Sequence, residues 1–211
     1  RDAIYKSDSY NISLFYNDNA CPGDAIFIRM IFTDNVHKSK KQIIPDSSAK
    51  ASLFLGEKEI ASSEFYLLQE KSSKTITTML TGIPLSSWWQ ENDYHLTITY
   101  SFQGQRKMKF DLPFALLPKE FVSETIELDA RNTGIKTDTS PERMQQIDKL
   151  NLILETINKD AVYQTQAYVP PTDATRRTSF FADRRVYAYT NGKSSTSLHY
   201  GIDYGIPTGS S

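Results

Sequence analysis

Tyr94-His95-Leu96-Thr97-Ile98-Thr99-Tyr100 alternates bulky apolar or aromatic residues with His95, Thr97 and Thr99. Successive side chains of a strand point to opposite faces, so Tyr94, Leu96, Ile98 and Tyr100 share one side and His95 shares the other with the two threonines. A strand of this kind covers a core with one face and meets water with the other. His95 is therefore read as a histidine on the wetter face, not as a ligand.

The same pattern recurs on both sides. Asn11 to Tyr16, Ala25 to Thr33, Ala51 to Leu55, Ile60 to Leu68, Thr75 to Leu80 and Lys107 to Phe114 read as short strands. They are cut by Asn17-Asp18-Asn19, Pro22-Gly23-Asp24, Gly56-Glu57-Lys58-Glu59 and Gln103-Gly104-Gln105, which carry turn chemistry. Strands of this length and spacing predict a mainly β chain with an N-terminal antiparallel β-sandwich, immunoglobulin-like in layout, over residues 1–120. No Cys, Trp, Cys arrangement exists, which excludes an antibody-type core but not the architecture. Trp88 and Trp89 precede the Tyr94 strand; one is expected to plug the end of the sandwich and the other to be partly exposed, the alternative being a sugar-stacking or partner-binding platform.

The 211 residues are 39% hydrophobic and 23% charged, an ordinary globular composition long enough for one large domain or two modest ones. The net charge is −1, so no basic field points to nucleic acid or to anionic lipid. Nothing approaches the run of about 18 apolar residues that a membrane span needs. The chain opens at Arg1 without a charged, then apolar, leader and reads as a mature or trimmed product. Cys21, the single cysteine, beside Pro22-Gly23 is expected at a turn, without a local His or ligand spacing to make it reactive. His37 lies in the basic run Asn35-Val36-His37-Lys38-Ser39-Lys40-Lys41, read as a solvated loop.

After the sandwich, 121–168 read as a strand from Val122 to Leu128, a polar connector and a helix. Ser140 is its N-cap, Pro141 opens the first turn, Glu142 complements the dipole, and Met144, Ile147, Leu150, Leu154 and Ile157 form a stripe. That stripe is expected to pack between the sandwich and the C-terminal region, as an interdomain strut; a helix that gates a downstream site is the alternative. Val169-Pro170-Pro171-Thr172-Asp173 is a stiff linker to a last region, 169–211.

There His199 and Asp203 stand four positions apart around Gly201. In a flat strand they would share one face but lie about 13 Å apart, whereas ligands of one zinc ion each lie about 2.0–2.2 Å from it. The segment must bend, and Gly201 is the residue expected to permit the bend. Gly192, Gly201, Gly205 and Pro207 argue against a helix, so a serine-rich loop at Ser194 to Ser197 leading to a strand is expected.

The run Phe180-Phe181-Ala182-Asp183-Arg184, followed by His199-Tyr200-Gly201-Ile202-Asp203 and Pro207-Thr208-Gly209, resembles the opening of the catalytic domain of lysostaphin-type zinc peptidases, the LytM-like murein hydrolases. In that family a Phe-Gly-x-Arg strand leads to His-x-Gly-x-Asp and a Pro-x-Gly turn; here Ala182 replaces the glycine. The resemblance covers about the last fifth of the chain. It implies that 169–211 begin a lysostaphin-type antiparallel β peptidase domain. His199 and Asp203 would be two of the three protein ligands of a catalytic Zn2+, with Tyr189 a weaker candidate on the oxyanion side and Arg184 a structural anchor.

The implied function is a zinc metalloendopeptidase hydrolysing peptide crosslinks of peptidoglycan, in an exported, periplasmic or envelope-associated protein. The family's third ligand and general base come from downstream histidines, one in a His-x-His pair, which this chain lacks; alone it is expected to be inactive. Its partners would be the peptide crosslinks and either another protein or the missing C-terminal part of the domain, since a truncated β domain exposes strand edges. The alternative is a non-catalytic LytM-like regulatory or binding protein with an incomplete metal site.

Overall fold

The computed structural model describes residues 1–35, 49–68, 71–73, 75–101, 107–158 and 167–209. His37 lies outside them. They divide into two compact units, Arg1–Lys119 and, C-terminal to it, Glu120–Asn158 together with 167–209.

The N-terminal unit is a β-sandwich. One sheet contains β1 (Asp2–Lys6), β2 (Tyr10–Tyr16), β4 (Ala25–Asp34), β8 (Ile76–Pro84) and β7 (Tyr66–Leu67) in the order β1-β2-β4-β8-β7, every pair antiparallel. The other has the order β10-β9-β5-β6, built from β5 (Lys50–Leu55), β6 (Lys58–Glu64), β9 (Tyr94–Tyr100) and β10 (Met108–Pro113). Between β6 and β7 the chain leaves one sheet for the other, with Phe65 buried at the crossing. Two-residue strands β3 (Asn19–Ala20) and β11 (Ala115–Leu116) pair in parallel.

The alternation read from Tyr94 to Tyr100 is the core pattern. Tyr94, Leu96, Ile98 and Tyr100 are buried in one cluster with Ile12 and Leu14 of β2 and with Ile28 and Met30 of β4. His95 faces outward and stacks on Phe54 at 5.0 Å between ring centres. Trp89 stacks on Tyr94 and packs against the cluster, while Trp88 is exposed. Cys21 sits in a turn whose ends are tied by Asp24: the Cys21 amide donates to Asp24 Oδ2 (2.9 Å) and the Asp24 amide to the Cys21 carbonyl (3.0 Å).

The described residues of the C-terminal unit form two helices and two small sheets. β12 (Ser123–Glu127), β14 (Arg184–Ala188) and β15 (Ser194–Leu198) form one, β12 parallel and β15 antiparallel to the central β14. β13 (Arg177–Ser179) and β16 (Asp203–Tyr204) form the other, with a bulge between Arg177 and Ser179. Three expectations change here. The stretch from Ser194 to Ser197 is a strand and not a loop, because β14 supplies a full ladder that outweighs the weak strand preference of serine. The polar connector after β12 holds a helix, α1 (Ala130–Lys136), capped by Asp129, whose carboxylate accepts from the Asn132 amide at 2.7 Å.

The third change concerns α2 (Pro141–Leu154). Its N-terminus is built as read, with Ser140 as cap and Pro141 in the first turn, but none of its residues is buried. Leu152, Ile153 and Leu154 are all exposed, as are Met144 and Leu150. Consecutive apolar residues surround the last turn instead of forming one stripe, so no single face is defined for packing. α2 therefore lacks the single apolar stripe expected of it.

Candidate metal centre

Two backbone devices bring His199 and Asp203 together. The first is the turn Phe180 to Asp183. Asp183 Oδ2 accepts from the Phe180 amide (2.8 Å), and the Asp183 amide donates to the Phe180 carbonyl (3.2 Å). His199 is docked on this turn at both its backbone groups: its amide donates to the Asp183 carbonyl (2.9 Å), and its carbonyl accepts from the Ala182 amide (2.7 Å). Ala182 adopts φ +69°, the one non-glycine residue at positive φ among the described residues, and is fully buried. The position favours glycine, and alanine is strained there.

The second device is the β13–β16 pair, which sets Asp203 opposite Ser179. Gly205, next along, donates its amide to the Arg176 carbonyl (3.1 Å). A Cβ on Gly205 would stand 3.0 Å from Arg176 Cδ and 3.1 Å from Thr178 Cγ2, so a larger residue there would press on those two side chains. Gly201, the expected hinge, has no positive φ and open space where a Cβ would be. The bend from His199 to Asp203 is made by backbone that any residue can adopt.

The result is a separation of 3.2 Å between His199 Nε2 and Asp203 Oδ1, in place of the ~13 Å of a flat strand. Nε2 is buried and has no aligned hydrogen-bond partner, although the carboxylate oxygen is that near. With its proton on Nε2 the imidazole contacts the carboxylate directly at this distance; with the proton on Nδ1 the two atoms are both acceptors, and a cation could stand between them. Donors about 2.1 Å from a tetrahedral zinc stand roughly 3.4 Å apart, so the pair fits two corners of such a site. Among the described residues, no group of three or more His, Cys, Asp or Glu side chains could hold a metal ion.

Tyr189 is not brought to the pair. It lies at the turn end of the β14–β15 hairpin, where its amide donates to the Lys193 carbonyl (2.8 Å) and its hydroxyl bonds the Ser195 hydroxyl. His199 lies beyond the other end of that hairpin, past Leu198, which pairs with Arg184. At ~3.3 Å per residue the five residues of β14 keep them on the order of 17 Å apart. Arg184 donates to the Ala182 carbonyl (2.7 Å) and lies over the Phe121 ring (3.9 Å to its centre), pinning the turn from outside.

The neighbour that matters at the site is Arg185, which the sequence reading passed over in favour of Arg184. Its Nη2 donates to Ser179 Oγ and lies 3.5 Å from Asp203 Oδ2; its Nε lies 3.2 Å from Glu124 Oε1. Burial opposes its charge, and Tyr187, Glu124 and Asp203 more than offset this, so its pKa is raised. Alternation along β14 supplied the only local signal, since Arg184 and Arg185 must face opposite sides.

No family model matches the chain, and no curated protein matches it. Among solved structures, a DUF4426 family protein from Pseudomonas aeruginosa is similar, at 15% identity over 56% of this chain and 97% of that one, with a TM-score of 0.38. The membership of the lysostaphin-type peptidases suggested by the C-terminal motifs is thereby corrected. The motifs are short and few, and short motifs recur by chance. No helix of the described residues is long and apolar enough to cross a membrane.

Proposed function

We propose that the C-terminal unit binds Zn2+ through His199 and Asp203 and serves hydrolysis of peptide bonds, the peptide crosslinks of peptidoglycan being the substrate. The reading is supported above all by the buried Nε2 of His199 standing 3.2 Å from Asp203 Oδ1. Zinc held by such donors polarises a carbonyl and lowers the pKa of bound water to about 7. His199 would offer a neutral imidazole nitrogen and Asp203 one anionic oxygen, on a turn and a strand pair that fix both. The peptide substrate is carried over from the sequence expectation and no residue at the pair selects it; an exported or periplasmic chain of the cell envelope goes with that substrate.

A second reading, a non-catalytic binding or regulatory protein, is favoured by one observation. Among the described residues the pair gains no third donor, and a hydrolytic zinc keeps three protein ligands. Elemental analysis of the purified chain, beside His199→Ala and Asp203→Ala, separates the two. Near-stoichiometric zinc, lost in both variants, is expected, and release of soluble peptidoglycan fragments by the zinc-loaded chain but not by the variants would then separate hydrolysis from metal binding alone. A zinc-free parent would overturn the enzyme reading in favour of the second.

A further inference from the structure

We infer that the N-terminal unit has a binding site of its own, a groove on the outer face of the five-stranded sheet that takes an anionic amphiphile, a long-chain alkyl carboxylate. The two sheets of the sandwich differ on the side turned away from the core. On the four-stranded sheet that side holds His95, Thr97, Thr99, Lys109 and Asp111, as a solvated face should. On the five-stranded sheet it holds Phe15, Phe27, Ile31, Ile76 and Leu80. Phe27 is 60% exposed, with its ring against Gly82, where a Cβ would stand 3.3 Å from it. Contiguous apolar surface of this kind marks a binding site.

These side chains, with Leu68, line a groove of about 570 Å³, a volume usual for small-molecule sites. Leu68, Lys71 and Ser72 are fastened to Thr78 of β8. The Thr78 hydroxyl donates to the Lys71 carbonyl (2.8 Å), the Thr78 amide to the Ser72 hydroxyl (3.0 Å), and the Leu68 amide to the Thr78 carbonyl (2.8 Å). Lys71 is thereby held at the groove by its own backbone.

Both charged residues lining the groove, Arg29 and Lys71, are cations. Arg29 stands between Phe15 and Leu80 in the register of the sheet, with its guanidinium over the Phe15 ring at 4.7 Å to the centre. One face of the planar fork is covered, and its N–H edge is left for an acceptor. Neither cation has a carboxylate partner among the described residues. Asp2, on the same row, lies across Phe15 on β1. The charge is thus complementary to an acid and the floor to a chain, and a carboxylate meets a guanidinium edge through two parallel hydrogen bonds. An inorganic anion would leave the apolar floor unused. A neutral lipid would leave both cations without a partner.

The test titrates dodecanoate, below the concentration at which it forms micelles, calorimetrically into the full chain, beside octanoate and dodecyltrimethylammonium. Dodecanoate is expected to bind at one site per chain, octanoate about 10-fold more weakly or worse because it buries fewer methylenes, and the ammonium amphiphile not measurably. Arg29→Gln with Lys71→Gln, both exposed positions, should weaken dodecanoate about 10-fold while circular dichroism stays unchanged. Should that variant fail to fold, the three amphiphiles on the parent still decide. Acid and ammonium bound alike, or many loosely bound equivalents per chain, would mean unselective apolar adsorption and overturn the proposal. No binding of dodecanoate overturns it as well. A parent that sediments as a dimer, becomes monomeric with Phe27→Glu and stays dimeric in dodecanoate would assign the face to a second copy of the chain, against the proposal.

Discussion

In the N-terminal sandwich Ile12, Ile28, Leu53, Leu96 and Tyr100 are wholly withdrawn from solvent, whereas the buried residues of the C-terminal unit, among those described, are Thr133, Ser179, Ala182 and Asp183. The first unit is held by apolar burial. The second is stitched by cations on rings and by polar contacts: Lys136 over Tyr187 at 4.1 Å, Arg177 over Tyr204 at 3.9 Å, Arg184 over Phe121, and Arg185 among Ser179, Glu124 and Asp203. A buried leucine typically stabilises by about 2–5 kcal/mol against truncation; a cation over a ring near the surface gives about 0.5–1 kcal/mol. A unit assembled from small polar terms is one whose order a bound ion can shift substantially by mass action.

The contrast can be broken most forcefully with Leu96→Ala. It should remove about 2–5 kcal/mol from the sandwich, read as an earlier urea transition in Trp89 fluorescence. Hydrogen exchange in β14 should not change. If β14 opens with the sandwich, the two units are not energetically separate.

Ala182→Gly acts in the opposite direction. Relief of the left-handed backbone should gain about 1 kcal/mol for the C-terminal unit, seen as slower exchange of the amides from Arg184 to Ala188. No slowing would mean that the turn is unstrained.

The smallest effect is electrostatic and belongs to the sandwich. Thr97 Oγ1 donates to Asp111 Oδ1 at 2.8 Å, and this bond first, with Lys109 and His95 adding to it against desolvation, holds the Asp111 carboxyl below its usual range. A lowered folded pKa contributes stability above the unfolded carboxylate pKa, and that stability is lost as pH falls through the folded value. Thr97→Val should therefore destabilise more at neutral pH than in acid, by an amount that shrinks as pH is lowered below about 4. A pH-independent difference between parent and variant in acid titrations of urea stability would remove Asp111 from the account.

The sandwich was legible because its strands declare themselves locally. β4 alternates buried and outward residues along its length, and β9 does so except at Thr97, which is buried on the outer face, with turn residues at their ends. The C-terminal unit was harder to read for the reason that distinguishes it: its contacts are non-local. Nothing near Ser194 to Ser197 announces a strand, since the ladder is supplied by β14. α1 was missed because Asn132, Thr133 and Gly134 are weak helix formers, although Asp129 carried the cap signal. The closeness of His199 to Asp203 followed from the need to bend, but the hinge was misplaced at Gly201. Arg185 was invisible because its partners Glu124, Ser179 and Asp203 come from three other strands.

The parallel pairing of Ser123 to Glu127 with Arg184 to Ala188 sets an order of events during synthesis. Most strands of the sandwich meet a partner within a hairpin or shortly after, so their hydrogen bonds close as the chain emerges. β12 has no such neighbour: both helices and β13 must be made before β14 exists. At about 5–20 residues per second, β12 waits on the order of several seconds with its amides and carbonyls unpaired. Through that interval Val122 to Glu127 is the segment a chaperone or a stray strand would find first, and slowing translation between α2 and β14 should lengthen the exposure.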